Sequence, residues 1–94
     1  MKPETRGIVE KSLDDLLLVD LLVDIQWIEH EMPVKSFKDL FIGYFIGAAM
    51  AVAFTDIFES EKRTPTIEDR NEFMAIIKRR LSEIITRFEK EFNR

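Results

Sequence analysis

From Ser12 onward the chain alternates leucine- or isoleucine-rich stretches with charged ones, and the spacing is that of helices. Leu16 to Ile28 is apolar at most positions and lacks the strict alternation of a half-buried strand. Ser12 and Asp15 have the spacing of a capping box, Asp14 adds negative charge to a first turn, and Pro33 stops a helix just before it. These signals predict a first helix over about 12–31. Its apolar side chains fall nearly all round the axis, with Asp20, Asp24 and Glu31 confined to one stripe beside Trp27. Trp27 is expected at the edge of the core, its other use being an interaction anchor.

Ser36 and Asp39 repeat the start signal and predict a second helix over about 36–60, uncharged from Leu40 to Thr55. Gly43, Gly47 and Ala51 share one face at four-residue spacing, and such small residues let a second backbone come close. They are expected, with Trp27, to form a helix-packing or interface surface. Phe37, Phe41, Phe45 and Val52 supply the other side. A third helix is predicted over about 65–92, capped by Thr64 with Pro65 at its first position or, in competition, by Thr66 with Asp69. Met74, Ile77, Leu81, Ile84 and Phe88 make its seam, widened by Phe73, Ile85 and Phe92.

The fold class is therefore all-α: residues 1–94 as a single domain of three long helices in an antiparallel bundle. The second helix has scarcely any polar face to turn to water. A monomer would leave too much apolar surface wet, so the bundle is expected to be completed by homo-oligomerisation, most simply as a dimer.

Composition narrows the chemistry. With 46% apolar and 34% charged residues the chain is globular and has a core to bury. The absence of cysteine excludes disulfides, thiolate nucleophiles and zinc ribbons, and the single histidine, His30, excludes His-paired triads and two-His metal motifs within one chain. Eleven isoleucines with only one Gln and two Asn, beside abundant Glu, Lys and Arg, match a balance found in proteins of hot environments. Met1 to Arg6 has no secretory pattern, which makes the cytoplasm the expected location.

Charge is unevenly placed, with three basic and eight acidic side chains in residues 1–32 against nine and seven in 61–94. The two ends should attract each other, within a chain or between chains. Overall acidity argues against general nucleic-acid binding. Lys78, Arg79 and Arg80 diverge on a helix, leaving Arg80, Arg87 and Arg94 as the better stripe for a subunit of a nucleic-acid complex. Asp20, Asp24 and Glu31 offer the one carboxylate set for a magnesium-dependent hydrolase of a phosphorylated small molecule, without the Glu-x-x-His pairs of di-iron bundles. Gly-x-x-x-Gly in an apolar run is also a membrane pattern, but the uncharged sixteen residues span only about 24 Å of a ~30 Å hydrocarbon core. No cofactor and no catalytic residue are expected. What the sequence favours is a protein-interaction or assembly module, self-associating and serving an unidentified protein partner.

Overall fold

Pro3 sets where the first helix begins, because its missing N–H is an orphan donor there and its fixed φ suits a first turn. The computed structural model describes residues 1–92, with every side chain except those of Leu22, Glu91 and Phe92. Within them it contains five helices, α1 (Pro3–Leu18), α2 (Leu22–Glu31), α3 (Phe37–Glu61), α4 (Ile67–Arg79) and α5 (Leu81–Phe92), and no strand. The all-helical class holds. The three-helix count does not, since the first and third predicted helices are each broken in two.

Ser12 is not a cap. It lies inside α1, where its hydroxyl donates to the Asp56 carboxylate at 2.7 Å. The row Thr5, Val9 and Leu13 is buried against α3, with Leu16 half-buried after it. Continued in phase, that row would pass through Asp20, Asp24, Trp27 and Glu31. An unbroken helix would therefore press three carboxylates into the core, at a cost of several kcal/mol per stranded charge. The chain breaks instead at Val19, which is extended (φ −75°, ψ 138°), and α2 restarts with Leu21 and Ile25 turned inward. The Arg87 guanidinium donates to the carbonyls of Leu17 (2.6 Å) and Val19 (3.2 Å), satisfying acceptors that the broken helix leaves open.

For α3 the sequence places both the start and the end correctly to within a residue. Ser36 accepts a hydrogen bond from the Asp39 amide at 3.1 Å, and the helix ends at Lys62 in the left-handed region (φ 55°). Phe41, Phe45, Ala49, Ala53 and Ile57 form its buried row. At the next helix the competing cap prevails. Thr66 and Asp69 form a full capping box, so α4 begins at Ile67 and Thr64–Pro65 stays outside it.

The second break falls at Arg80, which occupies the inward row between Phe73, Ile77, Ile84 and Phe88. A guanidinium cannot stay there unpaired, and the break lets it leave the core for the acids of α1. The apolar seam continues on both sides, so the predicted seam residues Ile77, Ile84 and Phe88 are buried and Met74, Leu81 and Ile85 partly so.

Hydrogen bonds fix the directions. Thr5 meets Ser60, and Ser12 meets Asp56, so α1 is antiparallel to α3. Phe54 packs on Phe73 (6.0 Å between centroids) and Phe41 on Phe88 (5.3 Å), so α4 and α5 also run antiparallel to α3 and lie parallel to α1. The molecule is 39 Å long, about the length of α3 alone. Between α1 and α3, Val9, Leu13, Leu16, Ala49 and Ala53 close up without room for a water molecule.

Candidate functional site

Two residues along from the buried row of α3 runs a second row at the same interval: Gly43, Gly47, Ala51 and Thr55, all exposed. Four-residue spacing keeps each row on its own face, and a two-residue offset turns the faces roughly 200° apart. A Cβ added at Gly43 or Gly47 would meet no atom within 4 Å. No side chain or helix of the same chain packs against those two positions, which leaves the interface use of the expected surface; α1, α2, α4 and α5 meet α3 elsewhere. Asp39 and Glu59, both exposed, close the row at its ends. Only 28% of the most apolar 18-residue stretch of α3 is buried, and among the described residues α3 alone is long and apolar enough to cross a membrane.

Trp27 is likewise not at the core edge. It is 66% exposed on α2, one turn from Val23 at 69%, because the break that saves the carboxylates from burial turns this face outward. Asp24 accepts a hydrogen bond from the Tyr44 hydroxyl at 3.0 Å, which ties α2 to α3 and raises the tyrosine pKa above its ordinary value. Asp20, Asp24 and Glu31 are exposed and do not converge; among the described residues no group of three or more Asp, Glu, His or Cys side chains could hold a metal ion. His30 is exposed in the last turn of α2.

The expected attraction between the acidic and basic ends is realised within the chain, through Asp14 of the first predicted helix and Glu10 just ahead of it. Arg79 pairs with Glu10, and Arg80 reaches the Glu10 side chain and carbonyl, Asp14 and Glu83. Hydrogen bonds to Glu83 and Asp14 hold the Arg80 guanidinium pKa above its ordinary value. The stripe proposed for nucleic acid is thus not an open cationic surface: Arg80 is 12% exposed and ion-paired, Arg87 is spent on α1 carbonyls, and Arg94 lies outside the described residues. A start signal at Pro3 and the row Thr5–Val9–Leu13 would have placed Glu10 on the same helix as Asp14.

At the opposite end of α1 a buried polar clasp joins three helices. Asp69, 1% exposed, receives Arg63 at 2.5 and 3.0 Å, the Thr66 amide at 2.8 Å and the Met1 ammonium at 3.2 Å. Arg63 first, and the Thr66 amide with it, holds the Asp69 carboxyl well below the usual carboxylate range. Glu61 is drawn down to about 2 by hydrogen bonds from the Thr5 hydroxyl and the Lys2 amide, with Arg63 beside it. These acids are saturated with donors, as befits structural joints. The open groove lined by Arg6, Glu10, Glu72 and Arg79 is no better placed for chemistry, since Arg6 pairs with Glu72 and Arg79 with Glu10. Two apolar surfaces stand out among those exposed on the described helices: the small-residue row on α3 and the Val23–Trp27 face of α2. Comparison of the chain with models of protein families, with curated proteins and with solved structures finds no match.

Proposed function

We propose that the protein is a helical assembly module that associates with a second copy of itself through the Gly43–Gly47–Ala51 face of α3. The observation that carries this is the exposed four-residue row on a helix apolar on nearly every side. A soluble helix of that kind is normally buried all round, and glycines in its middle cost about 1 kcal/mol each against alanine unless close packing offsets them.

Self-pairing suits the row. Two identical i±4 rows interlock at a crossing near −50°, which brings the glycines together at the centre and swings the helix ends apart. Asp39 and Glu59 sit at those ends, so a steep crossing separates like charges that a nearly parallel or antiparallel alignment would oppose. Lateral use in a membrane is disfavoured by the partners of α3: charged α1, α4 and α5 pack along it, and Asp56 takes the Ser12 hydroxyl in mid-bundle.

Sedimentation at micromolar concentration tests the proposal. The expected species is a concentration-dependent dimer of about twice 11.1 kDa, converted to monomer by Gly47→Leu. A wild-type chain that stays at 11.1 kDa at all concentrations overturns it.

A further inference from the structure

The exposed face of α2 has a composition that self-association through α3 does not use. Val23 and Trp27 stand one turn apart on α2 and are 69% and 66% exposed, an apolar face of the kind that seats against another helix, and Val19 just before α2 is 48% exposed. Along this stretch of the chain the fixed charges have one sign, and the Arg87 guanidinium that reaches it from α5 is held by the Leu17 and Val19 carbonyls. Between Lys11 and Lys35 there is no Lys or Arg, while Asp14, Asp15, Asp20, Asp24, Glu29 and Glu31 are all exposed. A large aromatic within a charged border is the anatomy of an interface anchor, and the border sets the sign of the partner.

The chain's own arginines are poorly placed to supply that partner. Every arginine whose side chain is described is already engaged within the chain: Arg6 by Glu72, Arg63 by Asp69, Arg70 over the Phe54 ring, Arg79 and Arg80 by Glu10, and Arg87 by the carbonyls of α1. A second copy would have to break those pairs to present a guanidinium. An anionic lipid surface is repelled by the same carboxylates. We infer that the Val23–Trp27 face of α2 docks a different protein through a basic amphipathic helix, whose apolar face covers Trp27 while its lysines and arginines meet Asp20, Asp24 and Glu31.

Trp27 is the one tryptophan of the chain, so its fluorescence reports on this surface directly. The probe is a synthetic amphipathic Leu/Lys helix, with a Leu/Glu helix and an apolar-free Lys/Ser peptide as controls. The expected result is a saturable blue shift with the Leu/Lys peptide only. By calorimetry, its affinity should fall at least tenfold in Trp27→Ala and in the triple variant Asp20→Asn, Asp24→Asn, Glu31→Gln. Glu68→Gln with Glu89→Gln, on the outer faces of α4 and α5, should leave it unchanged, and circular dichroism checks that each variant is folded. Equal affinity of Trp27→Ala and wild type overturns the inference, as does equal binding of the Lys/Ser peptide. So does a blue shift produced by raising protein concentration alone, which would mean a second copy covers this face, or by phosphatidylcholine vesicles and not by the peptide.

Discussion

Single residues decide more of this fold than their positions suggest. Lys62 holds the left-handed cap of α3 although it carries a Cβ, so Lys62→Gly should raise the unfolding free energy by up to about 1 kcal/mol in a denaturant titration. Arg80 provides a second test. It sits in the inward row and leaves it for Glu10 and Asp14, so the double-mutant cycle of Glu10→Gln with Arg80→Gln should show a coupling of roughly 0.5–1 kcal/mol. The cycle of Asp24→Asn with Arg80→Gln should be additive, because Asp24 is engaged by Tyr44 instead. A coupled Asp24–Arg80 pair would contradict the ion-pair network described above.

Between elements the governing conflict is one of phase. The acid stripe of α2 lies on the extension of the buried face of α1, and the break at Val19 resolves the two. Asp20→Pro, placed after an extended residue, should therefore cost markedly less stability than Gln26→Pro, which falls beyond the first turn of α2 and should cost about 3 kcal/mol or more. Equal costs in thermal melts would indicate a continuous helix. The exposed row of α3 gives a further expectation. In dilute solution, where the chain is monomeric, Gly47→Leu should stabilise by about 0.8 kcal/mol through helix propensity alone, since no neighbour lies within 4 Å. Stability lost by the monomer would mean that another part of the chain packs on that row.

For the whole molecule, the clasp of Glu61, Arg63 and Asp69 links α1, α3 and α4 and makes folding sensitive to acid. Both carboxyls are lowered on folding, Asp69 from an ordinary 3.8 and Glu61 from 4.5 to about 2. Below about pH 5 the unfolded chain binds protons that the folded chain still refuses, so stability falls as pH decreases from there toward 2. Their contribution is fully present above that window. Denaturant midpoints measured from pH 7 to pH 2 should show the decline, and Asp69→Asn should flatten it as well as lowering stability at pH 7. At neutral pH a dimer adds a second signature, a melting temperature that rises with protein concentration and ceases to do so in Gly47→Leu.

Local signals were sufficient for α3, because Ser36 and Asp39 form its cap from residues three apart and the uncharged run from Leu40 to Thr55 leaves no competing structure. They were sufficient for the all-helical class and for most of the seam of α4 and α5, where three- and four-residue spacing states the buried face directly. The break at Val19 was written in the chain only as a disagreement between two rows, Thr5–Val9–Leu13 and Asp20–Asp24–Glu31. Recognising it requires knowing that α1 begins at Pro3 and which of its faces meets α3. Of the partners of Arg80 only Glu83 is a neighbour in sequence, since Glu10 lies seventy residues away and becomes adjacent only when α1 is laid parallel to α4 and α5. Trp27 shows the division best. Its place beside three acids is a matter of sequence and helical period. Whether that face meets the core or the solvent is settled by the long-range packing of α1 on α3, which buries one row and, through the break, turns the next one out.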